Sequence, residues 1–464
     1  MFDTMTEALA RQNGLVIREG KTKLIARRGD DVDDGNVISK NDVTAGDGAK
    51  HDIIPGKAAL ATQTTCNVFR LLKACEIPVA FTEQVNSTVF SAPLCTMFPY
   101  EVVIRREAHG SYIDRNPHLP KGHHFPRLVL EFNLKTKGKI WKGAASGTEY
   151  PLQKDDPLME FDYDEKQIKL FYPGFTSEER KTAPKGALVG QKAFLSLPLD
   201  EVFTKKNEQQ LIEEMGKNAK RTFLILEKAW QLEGRTLVDL KVEFGLSGNG
   251  VLLLADVIDN DSWRVVDVDG QYLDKQRYRD GNTPLDAIKK LYEVVAEITG
   301  HFRLPTQQVI VWRGSEKDDI SPVVKTLDAL SGGCSGAASR RLKLTISTCS
   351  IHKEPVRGLS ELHRLVQQVP DAVLIALIGR SNGAGPILSA STTVPVITVP
   401  ASFKDFPEDA WSSLRTPSNV PVTTVLDPSN AAMAAIEILA LHNPFLYMFL
   451  REQVEERLIN TVQI

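Results

Sequence analysis

Hydrophobic and polar positions follow two different patterns along this chain, and the change falls near residue 304. Over roughly the first 300 residues, short alternating stretches such as GLVIREGKTKLIA, NVISKND and YEVVIRREA precede helical patterns such as EQQLIEEMGKNAKRTFLILEKAW. Alternation predicts strands with one buried face, and its mixture with helices predicts an α+β fold with antiparallel sheets. TPLDAIKKLYEVVAEITGHF has helical spacing, a start at Thr283-Pro284 and an end near Gly300, and LPTQQ reads as a short linker. Beyond Pro305 the runs VIVWR, LKLTIS, AVLIALI, VPVITV and VTTVL are continuously apolar and separated by helical segments. Strands buried on both faces read this way, so a three-layer α/β unit with a parallel, flavodoxin- or Rossmann-like sheet is expected. Such sheets bind ligands at the carboxyl ends of their strands. The polar clusters RGSEKD, STCSIHK and GRSNG follow the first three runs. The expected organisation is a first domain over 1–282, a helix and linker over 283–304, and a second domain over 305–464.

Composition narrows the function classes. The 464 residues are 42% hydrophobic and 25% charged, ordinary globular values for two or three domains. A net charge of -3 gives no electrostatic footprint for nucleic acid. The five cysteines show no CxxC spacing and read as reduced thiols rather than a disulfide frame or zinc site. No apolar run is long enough to span a membrane, and MFDTMTEALARQNG has no secretory core, so a cytosolic protein is expected.

In the first domain, REGKTK (Arg18 to Lys23) has one glycine and runs into TKLIAR, so it is not a Walker loop. A glycine turn between strands with lysines on one face can cover nucleotide phosphates, and it also fits a solvated turn. In TLVDLKVEFGLSGNGVLLLADVIDNDSWR, Val238, Leu240, Val242 and Phe244 share one face and Asp239, Lys241 and Glu243 the other. A hairpin symmetric about residues 249 and 250 places Glu243 opposite Asp256. Facing carboxylates repel unless a cation joins them, and hard oxygen ligands suit Mg²⁺ shared with ATP phosphates. A solvent-facing polar side neutralised by Lys241 is the alternative. EVVIRREAHGSYIDRNP gathers Arg105, Arg106, Ser111 and Arg115 around Gly110, which suits a phosphate or carboxylate or else a basic surface loop. DKQRYRD adds Lys275, Arg277 and Arg279.

In the second domain, Ser315 and Asp318 stand at a strand-to-helix turn that could bind phosphate or simply cap the helix. His352, beside Lys353, ends a strand where ligands bind and could move a proton near neutral pH, although a lone loop histidine is often inert. The glycines of GRSNGAGP allow close backbone approach or a structural turn.

EGKTK, SKNDVTAGDG, RREAHGSYIDRNP, DLKVEFG and DVIDNDSWR, in that order, resemble the phosphoribosylaminoimidazole-succinocarboxamide (SAICAR) synthetase family over residues 10 to 300. The resemblance implies ATP-driven amide formation between carboxyaminoimidazole ribotide and L-aspartate. It implies that Lys21 and Lys23 contact ATP phosphates, Glu243 and Asp256 hold Mg²⁺ and Lys241 approaches the reacting carboxylate. Arg105, Ser111 and Arg264 would bind the ribotide phosphate with Arg279 nearby, and Asp42 would fall in the site. KTKGKIWKGAASGTEY reads as a variable loop.

The later motifs, with WSSLR, resemble the aminoimidazole ribotide (AIR) carboxylase family in the animal form that uses CO₂ directly without biotin, ATP or metal. Synthetase followed by carboxylase is the order of the bifunctional animal-type enzymes. The resemblance implies that His352 shuttles the ring proton and that Ser315, Asp318, Lys353, Arg380 and Ser381 bind the ribotide. Asn382, Gly383 and Gly385 would shape the CO₂ pocket, and the carboxylase part would assemble a homo-octamer. Glu316, Lys317, Ile351 and Ile378 stand where the family carries smaller residues. They motivate an alternative, an active ligase whose carboxylase-like part is a weakened oligomerisation scaffold.

Overall fold

The computed structural model describes residues 6–28, 31–45, 50–136, 138–174, 192–279, 283–330, 342–379 and 383–461. The chain divides into two compact units: Met1–Lys73, Ile77–Phe302 and Glu455–Ile464 form one, and Arg303–Val454 with Ala74–Glu76 the other.

The first unit is built on antiparallel sheets, as the alternation predicts. One sheet runs in the order Val16–Glu19, Lys23–Arg28, Asp31–Ser39, Val89–Pro93, Glu83–Asn86. REGKTK is the turn joining its first two strands, closed by the Gly20 N–H donating to the Lys23 carbonyl at 2.9 Å. A larger sheet centres on the strand Thr236–Ser247, which pairs with Cys95–Glu107 on one side. On its other side lie Leu252–Ala255 and Trp263–Val266. Its inner residues Val238, Leu240, Val242 and Phe244 are at most 3% exposed, so this side anchors the core. The helix Glu208–Leu232 buries Leu211, Met215, Ala219, Phe223, Leu226 and Trp230, a stripe at helical spacing. Trp230 meets Trp263 edge-on with ring centroids 5.3 Å apart, which ties the helix to the strand carrying Arg264.

Two details differ from expectation. Glu243 pairs with Ala255, not Asp256. The turn is Gly248-Asn249-Gly250, three residues rather than two, with Gly250 at φ +78° in the left-handed position such loops need. Asp256 therefore lies one residue beyond the ladder, at φ +70°, an uncommon conformation for a residue with a side chain. KTKGKIWKGAASGTEY is not a simple loop but a small hairpin, Ile140–Lys142 against Glu149–Pro151. Glu201 anchors it: its carbonyl accepts from the Trp141 Nε1 at 3.0 Å and its carboxylate from the Ser146 hydroxyl at 2.9 Å.

The second unit has a five-stranded, wholly parallel sheet in the order Leu342–Ser347, Gln307–Arg313, Ala372–Ile378, Val396–Pro400, Thr423–Thr424. In chain order this is 2-1-3-4-5, a doubly wound arrangement. Ala372–Ile378 is buried throughout, as its unbroken apolar run predicts. LKLTIS is an edge strand, and its Lys343 and Ile346 are exposed. The strand order reverses between Gln307–Arg313 and Ala372–Ile378, so a crevice opens beyond Arg313 and Ile378.

Candidate active sites

The outward face of Thr236–Ser247 supplies two neighbouring cavities of the first unit. Asp239 and Lys241 line one and Glu243 the other. Alternate residues of a strand lie about 7 Å apart, so Lys241 stands between Asp239 and Glu243 along the face that supplies both cavities.

The first cavity, of about 430 Å³, is lined by Arg105, Ser111, Lys241, Arg264 and Arg279 among others. One oxygen of buried Asp239 accepts from Arg105 at 3.0 Å and from Arg264 at 2.6 Å, so a single carboxylate aims two guanidinium forks into the same space. Arg105 also donates to Glu131 at 2.8 Å and to the Ser111 hydroxyl at 3.3 Å. Burial raises the Glu131 carboxyl, but Arg105 and Arg115 outweigh this and hold it below its ordinary value. Gly110 has φ +54°, and a Cβ there would sit 2.5 Å from the Arg264 guanidinium, so only glycine fits. Lys241 pairs with Glu101 at 3.0 Å. Burial alone would lower its pKa, yet the carboxylate raises it on balance, so it is a fixed positive charge rather than a base.

The second cavity, of about 680 Å³, is a mainly apolar cleft lined by Val37, Phe90, Leu94, Met97 and Ala255, with Arg18, Lys23, Lys135, Glu243 and Asp256 as charged groups. Lys23 pairs with Asp256, and Lys135 with Glu243 at 2.6 Å. Burial pulls the Lys23 ammonium down to about 8 against the attraction of Glu243 and Asp259. An apolar lining together with lysines, an arginine and two carboxylates suits a ligand with a planar apolar base and charged phosphates. The Glu243 and Asp256 carboxylates are hard oxygen donors of the kind that suits Mg²⁺, and each pairs with a lysine.

In the second unit three strand-end loops converge at the crevice. Asp318 accepts from the Ser315 N–H at 3.0 Å, within the first loop. A Cβ on Gly379, in the third, would lie 2.8 Å from the Asp318 carboxylate. A Cβ on Gly383 would lie 3.5 Å from the His352 Nε2, which joins the second loop to the third. His352 and Lys353 are exposed.

The SAICAR synthetase family model matches residues 16–139 and 197–295, and the AIR carboxylase family model matches 308–458. A Caenorhabditis elegans protein described as probable multifunctional protein ADE2 is 33% identical over 455 residues, covering 96% of this chain and 95% of its own. The Homo sapiens bifunctional phosphoribosylaminoimidazole carboxylase/phosphoribosylaminoimidazole succinocarboxamide synthetase is 33% identical, covering 95% of this chain and 93% of its own. The chain belongs to the bifunctional AIR carboxylase–SAICAR synthetase family. A solved SAICAR synthetase (type 2) in complex with ADP is 25% identical and covers 61% of this chain and 96% of its own, with a TM-score of 0.44.

Within the bifunctional family's motifs, the structure gathers Arg105, Ser111, Lys241, Arg264 and Arg279 around one cavity, and Lys23, Glu243 and Asp256 around the other. Lys21 is on the exposed turn, and Asp42 bonds His51 at 2.7 Å on a separate hairpin; neither lines these two cavities. Arg106 is buried against Glu227 at 2.6 Å and is structural. Gly385 is buried in the helix Ala384–Ala390, which follows Gly383. Arg380, Ser381 and Asn382 lie outside the described residues. Ile351 and Ile378 join a buried apolar cluster with Trp312, Leu362 and Leu374. Glu316 and Lys317 are exposed on the first loop. Sequence reasoning missed Asp239 as the arginine clamp, although it alternates with Lys241 and Glu243. Glu131 gives no local signal, since its partners come from another strand and from the short helix Ser111–Arg115 that follows it.

Proposed function

We propose that this chain makes SAICAR from AIR in two steps, with the synthetase chemistry in residues 1–282 and the carboxylase chemistry in 305–464, the helix and linker 283–304 lying between. The observation that carries the reading is the shared strand: Asp239 and Lys241 line a cavity rich in arginine, and Glu243 lines a mainly apolar cleft that also holds Lys23 and Asp256.

In the synthetase, Arg105, Ser111 and Arg264 bind the ribotide phosphate, with Arg279 near it. Lys23 meets the ATP phosphates, with Lys21 on the same turn. Glu243 and Asp256 hold Mg²⁺, which would supply charge neutralisation at the phosphates. The carboxylate oxygen of carboxyaminoimidazole ribotide attacks the γ-phosphorus, and ADP leaves. The aspartate amine then attacks the acyl carbon, the carbon–oxygen bond to phosphate breaks, and the amine gives up a proton. Lys241 keeps the reacting carboxylate from being repelled by the phosphates, so positioning and charge neutralisation supply the catalysis. Asp42 stands with this group as an expected site residue.

In the carboxylase, the nucleophilic ring carbon of AIR attacks CO₂, and His352 takes the proton that carbon then loses, with no biotin. Ser315, Asp318, Lys353, Arg380 and Ser381 hold the ribotide, while Asn382, Gly383 and Gly385 shape the CO₂ pocket. The enzyme is read as a cytosolic homo-octamer. A two-arm assay tests the whole reading. One arm supplies AIR, bicarbonate, ATP, Mg²⁺ and aspartate; the other supplies carboxyaminoimidazole ribotide with ATP, Mg²⁺ and aspartate. SAICAR is expected in both. SAICAR in the second alone would leave only the ligase, and none in either would overturn the proposal.

A further inference from the structure

The segment Tyr272–Arg279 reaches several parts of the synthetase unit at once. The Tyr272 hydroxyl meets the His109 Nδ1 at 2.7 Å, beside Gly110 and Ser111. Lys275 Nζ donates to Asp261, on the ribotide cavity wall, at 2.8 Å. At its centre Asp274 is 1% exposed. One Asp274 oxygen accepts from the Val265 N–H at 2.9 Å and the other from the Gln276 N–H at 2.7 Å.

Both donors need this acceptor. The Val265 carbonyl accepts from the Leu273 N–H at 2.9 Å, so Val265 turns its backbone groups away from Thr236–Ser247 and toward this segment. On that side no strand residue among those described accepts its N–H, and a buried unpaired N–H is costly. Gln276 opens the short helix Gln276–Arg279, where the first N–H groups likewise have no helical acceptor. Val265 follows Arg264, and the helix carries Arg279; both arginines line the same cavity. One buried carboxylate therefore fixes the two backbone segments from which these arginines project.

We infer that Asp274 is a positioning residue for ribotide binding, acting through Arg264 and Arg279 without touching substrate. This rests on the reading of that cavity as the ribotide site. The test uses the full chain and steady-state SAICAR formation, with carboxyaminoimidazole ribotide varied and then ATP varied, alongside thermal unfolding. Asp274→Asn is expected to raise KM for the ribotide about tenfold and to leave KM for ATP within about twofold, since small misplacement of binding groups weakens them sharply. Gln276→Pro deletes one of the two donors at a helix position that tolerates proline, and is expected to give a smaller rise of the same kind. It carries the test if the asparagine variant does not fold. In Arg264→Ala, adding Asp274→Asn should raise the ribotide KM by less than about twofold, because residues acting through one group are not additive. A merely structural Asp274 would lower the melting temperature and the amount of active enzyme while both KM values stayed put, and that result overturns the inference. If Arg264→Ala leaves the ribotide KM unchanged, the cavity reading fails and takes the inference with it. If Arg264→Ala raises it but Asp274→Asn and Gln276→Pro do not, only the inference fails.

Discussion

Asp239 shows how much one buried charge can set at the residue scale. Arg105 keeps Glu131 as a second partner, whereas among the described residues Arg264 has only Asp239 as a carboxylate partner within ion-pair distance. Asp239→Asn keeps a hydrogen-bond acceptor but removes the charge that balances two buried guanidinium groups. The expected cost in unfolding free energy is about 3 kcal/mol, as for one broken partner of a buried pair. The ribotide KM should rise about tenfold or more while KM for ATP stays unchanged, because Asp239 does not line the nucleotide cleft. Equal rises in both would show that it acts on the fold and not on the cavity. Asp274 carries a separate, pH-dependent signature. Burial pushes its carboxyl up to about 7, against two backbone N–H groups that pull it down. The folded state then holds this proton above the pH at which the unfolded chain, with an ordinary value of 3.8, has lost it. Between these values the folded state binds more protons, so this group's contribution falls as pH rises and levels off above about pH 7. Across that window the change is on the order of 4 kcal/mol. Melting curves of the parent and of Asp274→Asn should therefore draw apart in the variant's favour from pH 5 to pH 8; a constant gap would contradict the shifted carboxyl.

Elements were legible in the sequence to the extent that one periodicity governed them. The five apolar runs of the second unit gave its parallel sheet, and the alternation in DLKVEFG gave the inner and outer faces of Thr236–Ser247. What stayed hidden depends on turns and long-range partners. Placing Asp256 opposite Glu243 assumed a two-residue turn, but two glycines around Asn249 allow three, and the ladder moves by one. Ile351 looked like a change in the carboxylase site because it stands, beside His352, where the family carries a smaller residue. Its side chain instead enters the core, where a Cβ on Gly358 would stand 2.4 Å from its Cδ1. The space taken by the isoleucine is given back by a glycine in the helix Pro355–Gln368. In the parent, Gly358→Ala gains about 1 kcal/mol of helix propensity but overpacks the core by about 1–3 kcal/mol, so it should be neutral or destabilising. Ile351→Ala should cost about 3 kcal/mol. In that background the clash is gone, and Gly358→Ala should stabilise by about 1 kcal/mol or more. Urea unfolding of the four proteins gives the coupling energy, and a value near zero would show that the two positions do not share this space.

At the scale of the whole molecule, each unit has its own sheet, core and chemistry, so the two reactions should be separable by single substitutions. Lys23 lines the cleft proposed for the nucleotide, where its ammonium faces Asp256 and the attraction of Glu243. His352 belongs to the crevice of the parallel sheet, beside Gly383. Lys23→Ala removes a phosphate contact and leaves Asp256 unbalanced, so SAICAR formation from supplied carboxyaminoimidazole ribotide should fall by at least about tenfold, a loss of roughly 1.4 kcal/mol in transition-state binding. Carboxylation of AIR by the same variant should be unchanged. His352→Asn keeps a side chain of similar size that cannot take a proton, and general base catalysis is typically worth about a hundredfold or more. Its CO₂-dependent consumption of AIR should drop by that factor while SAICAR formation from the supplied intermediate continues. This pair of variants also decides between the two family readings. A carboxylase-like part that served only as a scaffold would show no AIR carboxylation in the parent and none to lose in His352→Asn. Measurable turnover in the parent that disappears with this one imidazole, in a chain whose ligase still works, requires a working site in the second unit.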